Sequence, residues 1–297
     1  MTALVAFWRK YRRNRAAVAG LAMLVVVLLA AIFGPLVYPT DPFDMVGRPS
    51  SPPSARFVLG TDVSGRDMLA GLLHGARVSL MIGVTAAAGA ILIGTVVGAL
   101  AGFYRGWIDD ALMRLTDAAQ TVPNFLLALA LIAVLGPATW SVILAIALVS
   151  WPGTARIVRA EFLSLRERDF VLACRAMGMG DGRLIFGQML PNVASSIVVL
   201  ATVVIAVAIL VESALSYLGL GDPNIVSWGG MIAAGRPVFR SAWTVSAIPG
   251  LAIVVTVLGV SLIGEALTDA LNPRKHVPQK WVPVLRKGHA SAKRSGK

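Results

Sequence analysis

Long apolar runs alternate with short polar segments along most of the chain. Runs of about 20 residues cross the apolar core of a bilayer as helices. Runs of this kind occupy residues 16–38, 78–103, 139–158, 193–218 and 244–270. A shorter run at 122–135 reaches spanning length only if its helix begins at Asp109, with Pro123 as a kink. The pattern predicts an all-α integral membrane protein with six transmembrane helices.

Charge is concentrated at the two ends of the chain. Residues 1–15 contain five basic residues and no acid, and residues 272–297 contain eight basic residues and no acid, in a chain of net charge +12. Basic flanks beside apolar helices are typical of cytoplasmic segments. We therefore expect a cytoplasmic basic N-terminus (1–15), a basic cytoplasmic tail (273–297), a multi-pass membrane protein, and no nucleic-acid partner.

The predicted spans and orientation also assign the first apolar run and the polar connection that follows it. The first apolar run is longer than the core of a cleaved signal peptide, so we interpret 16–38 as a retained first transmembrane helix. The polar, proline-rich segment 39–75 is predicted to be an extracytoplasmic connection, and Asp67 is expected to cap a helix that begins near Met68. The other five transmembrane helices then fall within 76–272, with a re-entrant or interfacial element near Trp228.

A charged segment, residues 165–191, separates the fourth and fifth apolar runs. Leu165–Met177 has the pattern of an amphipathic helix. Glycines then follow at positions 178, 180 and 182, which disfavours a helix interior. A second short helix is predicted at 183–190, ending at Pro191. Two helices joined by a glycine turn on a membrane protein suggest a surface that a soluble protein grips.

The same segment resembles the coupling loop of ABC-importer permeases, which is written E-A-A, three residues, Gly, nine residues, I-x-L-P. Four positions match the motif, and they are Ala173, Gly178, Leu190 and Pro191. Three positions differ, because Leu172, Cys174 and Gln188 stand where the motif has an acid, an alanine and an isoleucine. Segments 59–69 and 212–221 resemble permeases of the dipeptide and oligopeptide type, as does the spacing of Asp117 and Pro123.

This resemblance implies a type I ABC-importer permease-like bundle, located in the bacterial inner membrane. The chain would be the permease subunit of an ATP-driven importer of dipeptides or oligopeptides and would form half of the translocation pathway. Its implied partners are a homologous second permease, two ATP-binding domains that hold ATP and magnesium, an extracytoplasmic substrate-binding protein, a peptide substrate and the lipid bilayer. No cofactor is expected in this chain. The implied ATPase-coupling residues are Phe170, Leu172, Ala173, Cys174, Arg175, Gly178, Met179, Gly180, Leu190 and Pro191.

Polar residues within the apolar runs are candidates for a gate or a pathway, because buried charges in membranes face a bundle interior or a watery cavity. These candidates are Asp117, Gln120, Pro123, Glu212 and Ser213. Asp117 is alternatively an interfacial acid paired with Arg114. Glu212 alternatively forms a structural or gating pair with Arg77 or Arg236.

Two further patterns bear on packing and on function. Gly94, Gly98 and Gly102 recur at intervals of four, which lines one helix face with glycine and favours close helix packing.

The sequence contains no phosphate-binding loop, metal-binding motif or nucleophile elbow, so we expect neither an enzyme nor a metal site. The alternative function is an ion-gradient-driven secondary transporter that uses Asp117 and Glu212.

Overall fold

The computed structural model describes residues 14–271, with no β-strand in that range. Ten α-helices follow one another in this part of the chain. They are α1 Arg15–Val37, α2 Met68–Tyr104, α3 Gly106–Ala119, α4 Asn124–Leu135, α5 Thr139–Arg166, α6 Asp169–Ala176, α7 Asp181–Leu184, α8 Leu190–Tyr217, α9 Trp228–Gly235 and α10 Thr244–Leu271. A π-helical turn, Ile185–Met189, joins α7 to α8, and a 3-10 turn, Arg236–Val238, follows α9.

Five helical stretches are long and apolar enough to cross a membrane, namely α1, α2, α5, α10 and the continuous stretch Asp181–Tyr217, which joins α7 to α8. Helices α3 and α4 form a sixth span if they are counted together, but they meet at an angle of 78°. The all-α class and the multi-span architecture are therefore confirmed. The predicted termini, 1–15 and 273–297, lie almost wholly outside the described residues.

The prediction of one continuous third helix from Asp109 to Leu135 is wrong. Helix α3 ends at Ala119, and α4 begins only after Pro123. Proline has no N–H to donate and disfavours helical backbone at the residue before it, so Pro123 breaks the helix instead of kinking it. The second half, Asn124–Leu135, has 12 residues and extends for only about 18 Å. It does not cross a bilayer by itself.

Side-chain caps fix where the first two long helices begin. Asn14 Oδ1 accepts hydrogen bonds from the backbone N–H groups of Ala16 and Ala17, at 3.0 and 3.3 Å. Asp67 Oδ1 accepts from Leu69 and Ala70 at 2.8 and 3.3 Å, as expected for a helix that begins at Met68. The last residues of the predicted 39–75 connection are thus the first turns of α2.

The core of the bundle lies where α2, α4, α5 and α8 meet. Buried side chains from all four helices form one cluster, centred on residues such as Ile82, Ile132, Ile146 and Leu215. A second cluster joins α1, α9 and α10 to α2 and α8. Helices α2 and α5 also pack along Gly94, Gly98 and Gly102 of α2, as the spacing of these glycines predicted. A Cβ built on Gly94 would lie 2.5 Å from the Cβ of Thr154, so no larger residue fits at this contact.

Candidate functional site

The segment 165–191, called the coupling loop below, is a short helix followed by a glycine turn. Helix α6 ends in a Schellman-like turn in which the N–H of Met179 donates to Cys174 O at 3.1 Å. Gly178 has φ +79° in this turn, a backbone conformation that residues with a Cβ rarely adopt. No other atom lies within 4 Å of a Cβ built there, so the backbone conformation alone requires glycine.

The predicted second helix of the loop is wrong in its end point. The helix does not end at Pro191. It continues from α7 through the π turn into α8 as one apolar helical stretch. Pro191 lies in the first turn of α8, where a missing N–H is least costly. The segment is therefore continuous with a membrane-spanning helix.

The coupling loop has a buried face and an exposed face. Val171, Leu184 and Met189 are fully buried against Phe103 and Phe162 of the bundle. Away from this buried cluster, Leu172, Met177 and Phe186 are 52%, 76% and 69% exposed. Sequence reasoning missed Phe186, although its apolar side chain beside Arg183 and Gln188 was a signal for an exposed contact.

The other predicted coupling residues divide between the two faces. Cys174, Met179 and Leu190 pack partly against the buried cluster. Phe170, Ala173, Gly178, Gly180 and Pro191 are exposed. The guanidinium of Arg175 lies 5.0 Å from the centre of the Phe103 ring, at the end of α2. The loop therefore combines a fixed base with an open apolar surface.

Ionic contacts attach the coupling loop to the joint between α2 and α3. Arg105 pairs with Glu167 at 2.5 Å, and the Arg166 guanidinium donates to the backbone carbonyl of Phe103. Arg105 has φ +58°, which is strained for a residue with a side chain. Glycine follows at position 106, also with positive φ. This joint between two helices therefore has an unusual backbone conformation and lies in contact with the loop.

Asp117, Gln120 and Pro123 lie at the break between α3 and α4. The Asp117 carboxylate pairs with Arg156 of α5 at 2.6 Å, and the two side chains are 66% and 49% exposed. The alternative pairing with Arg114 is not the one observed. Gln120 is the C-cap of α3. The structure brings these residues to a solvent-accessible break in the helix and not into the bundle core.

Glu212 lies in a buried polar cluster instead of an ion pair. Its carboxylate accepts hydrogen bonds from Ser216 Oγ at 2.8 Å and Ser213 Oγ at 3.3 Å, and the side chain is 1% exposed. Within residues 14–271 it forms no salt bridge, so the pairings with Arg77 and Arg236 are not observed; Arg236 stacks on Tyr217. Hydroxyl donors hold this acid between α8 and its neighbours.

A pocket of about 310 Å³ opens at the end of the bundle opposite the coupling loop. Segment 42–71 forms one wall and the joint between α8 and α9 forms the other. Asp222 at its edge accepts hydrogen bonds from the N–H of Thr139 at 3.0 Å and from its hydroxyl at 2.7 Å. Partial burial raises the pKa of the Asp222 carboxyl, but the hydrogen bonds from Thr139 and Asn224 outweigh burial and hold the pKa below 3.8.

The described residues contain no group of three His, Cys, Asp or Glu side chains that could hold a metal ion. The polar groups of the site are arginines, isolated carboxylates and hydroxyls. The arginines form ion pairs with carboxylates of other helices, and these contacts are suited to holding helices in place.

Two family descriptions match this chain. Residues 90–277 match the binding-protein-dependent transport system inner membrane component, and residues 2–53 match the N-terminal TM domain of oligopeptide transport permease C. The Di/tripeptide transport system permease protein DppC of Pseudomonas aeruginosa (strain UCBPP-PA14) is 40% identical over 276 residues, which are 90% of this chain and 91% of that protein.

Another relative and one solved structure agree with these matches. The Dipeptide transport system permease protein DppC of Alkalihalophilus pseudofirmus is 40% identical over 272 residues, covering 90% of this chain and 88% of that protein. A chain of the MetNI methionine ABC transporter in inward-facing conformations superimposes with a TM-score of 0.58 at 18% identity. That match covers 69% of this chain and 98% of the other, and at this identity it concerns the fold alone.

Proposed function

This chain belongs to the family of binding-protein-dependent transport system inner membrane components, and from that premise we propose that it imports di- or oligopeptides together with separate ATPase subunits. The named peptide permeases among its relatives support the substrate class. Family membership favours an ATP-driven importer over the ion-gradient alternative.

The observation that carries this proposal is the exposed apolar face of the coupling loop. Leu172, Met177 and Phe186 would be covered when an ATP-binding domain docks there, which removes apolar surface from water. The buried face of the loop is fixed to Phe103 and Phe162. A partner that moves the loop therefore moves the inner ends of α2 and α5 with it.

Conformational switching would follow from nucleotide binding to the partner. If ATP binds more tightly to the closed ATPase pair than to the open pair, it shifts the permease toward the arrangement that fits the closed pair. Two loops, one from this chain and one from a homologous permease, would then move together. The break between α3 and α4 and the strained joint at Arg105 are the places in the chain that accommodate such a change of angle.

The proposed orientation puts the coupling loop in the cytoplasm. The pocket of about 310 Å³ at the other end of the bundle would then face the extracytoplasmic binding protein. The concentration of basic residues at both chain ends supports this orientation. ATP and magnesium would be held by the ATPase subunits, and this chain would act without a cofactor.

Reconstitution tests the proposal. The subunit would be co-expressed with a second permease, ATPase subunits and a binding protein from the same organism, and the complex would be placed in liposomes. We expect uptake of labelled dipeptide that requires ATP inside and the binding protein outside. Uptake that persists without ATP and stops when a proton gradient is abolished would contradict the proposal.

A further inference from the structure

A second pocket, of about 390 Å³, lies between the coupling loop and the bundle. It opens beside the ends of α2 and α5, on the side of α6 that faces the bundle. Its walls are Phe103, Tyr104, Arg166, Arg175, Met179 and Asp181. None of the exposed apolar residues proposed to contact an ATPase lines it. Arg175 and Met179 in its wall are among the coupling residues that the family resemblance implies, whereas the exposed side chains of Leu172, Met177 and Phe186 lie outside it.

Two guanidinium groups in this pocket are held in place without an acidic partner. Arg166 donates to the carbonyl of Phe103, and Arg175 stacks on the Phe103 ring. Within residues 14–271 neither forms a salt bridge. Arg105, the next basic side chain, is already neutralised by Glu167. The pocket thus carries two fixed positive charges against the single acid Asp181.

Aromatic side chains indicate the depth of the pocket in the membrane. Tyr104, in the pocket wall, is 43% exposed, and Trp107, three residues further along the chain in α3, is 78% exposed. Exposed tyrosine and tryptophan are enriched at the level of the lipid head groups. A basic pocket between helices at this level is suited to a lipid phosphate. Guanidinium groups bind phosphate oxygens with two parallel hydrogen bonds, which makes arginine well matched to this ligand.

We propose that Arg166 and Arg175 bind the phosphate group of an anionic phospholipid in the leaflet on the coupling-loop side. Arg166 belongs to α5, whereas Arg175 belongs to the loop, so one head group would join the two. A bound lipid would hold the loop against the end of α2. Only the choice of leaflet rests on the proposed function, because the charge and geometry of the pocket do not depend on transport.

Native mass spectrometry of the full-length subunit, purified with its co-purifying subunits, tests this proposal. Phosphatidylglycerol and phosphatidylcholine would be titrated separately in detergent, without ATP or peptide. We expect phosphatidylglycerol to bind more tightly. Arg175→Gln should weaken its binding about fivefold to tenfold, the loss expected for one basic residue at an anionic surface. Arg114→Gln removes an exposed arginine of α3 outside the pocket and should leave binding unchanged.

A second variant keeps the test decisive if Arg175→Gln fails to assemble. Asp181→Asn removes the only acid of the pocket and should strengthen phosphatidylglycerol binding. Equal binding of the two lipids, or equal weakening by Arg114→Gln and Arg175→Gln, would overturn the proposal. Displacement of phosphatidylglycerol by millimolar inorganic phosphate would also overturn it, because the pocket would then be a site for free phosphate. The readout needs no uptake, so failure here is distinguishable from failure of the import function.

Discussion

Asp109 and Arg159 form a two-point ion pair between the first turn of α3 and the inner half of α5. Asp109 Oδ1 lies 2.5 Å from Arg159 Nε, and Oδ2 lies 2.6 Å from Nη2. The Asp109 side chain is 11% exposed. The sequence placed Asp109 at the start of a helix but did not indicate its partner. The pair fixes the position of α3 against the span that leads into the coupling loop.

Asp109→Asn is expected to lower the stability of the complex. The substitution removes the hydrogen-bonded countercharge of the partly buried Arg159, and loss of such a charged hydrogen-bond partner costs about 1–3 kcal/mol. The neighbouring Asp110 is exposed, so Asp110→Asn serves as the control. The thermal unfolding midpoint of the purified complex should fall for Asp109→Asn only. Equal midpoints for the two variants would show that the pair contributes no stability.

Gly98→Ala is expected to push α2 away from α5. A Cβ at this position would lie 2.9 Å from Val158 Cβ and 3.0 Å from Arg159 N, closer than real Cβ contacts. Overpacking of this kind costs about 1–3 kcal/mol. Gly153→Ala is the matched control, because a Cβ there meets nothing within 4 Å and alanine favours the helix. Thermal unfolding should separate the two variants, with a loss for Gly98→Ala and no loss for Gly153→Ala.

Asp222→Asn is expected to destabilise the start of α5, since Asp222 accepts two hydrogen bonds from Thr139. The folded pKa of this carboxyl lies below its ordinary value of 3.8. Its ionised form therefore stabilises the fold above pH 3.8, and this contribution is lost as the pH falls below that value. The difference in unfolding midpoint between wild type and Asp222→Asn should be constant near neutral pH and shrink in acid. A difference that grows on acidification would contradict this role.

Gly178→Pro is expected to uncouple ATP hydrolysis from uptake. Proline requires φ near −65°, whereas Gly178 has φ +79° and donates its N–H to Arg175 O. The turn after α6 would be rebuilt, while the buried face of the loop keeps its packing. Gly182→Ala, in open space within α7, is the control. The number of peptides imported per ATP hydrolysed should fall in Gly178→Pro and stay unchanged in Gly182→Ala. If both variants import the normal number of peptides per ATP hydrolysed, the loop does not take part in coupling.

Apolar periodicity and caps were sufficient to predict most helices. The beginning of α2 followed from Asp67, and the five long spans followed from the length of each apolar run. These features act over a few neighbouring residues, so they can be read from the chain. The glycine turn at 178 was visible for the same reason, since one residue type is required by one backbone conformation.

Contacts between distant residues could not be predicted in the same way. The pairing of Asp117 with Arg156 instead of Arg114 depends on how α3 lies against α5. The serine cluster around Glu212 depends on which helix face carries hydroxyl groups toward the carboxylate. The prediction of a kinked but continuous helix at Pro123 was wrong because the sequence shows that proline interrupts a helix but does not give the angle between the two parts.

Site-directed cross-linking from the coupling loop tests the account most directly. Cys174 is the only cysteine, so Cys174→Ser provides a background for single cysteines. Met177→Cys, on the exposed face of the loop, and Val58→Cys, 57% exposed in the connection before α2, form a matched pair. In the assembled complex we expect a cross-link to the ATPase subunit from position 177 and none from position 58. A cross-link to the ATPase from position 58, or only to the binding protein from position 177, would contradict the account.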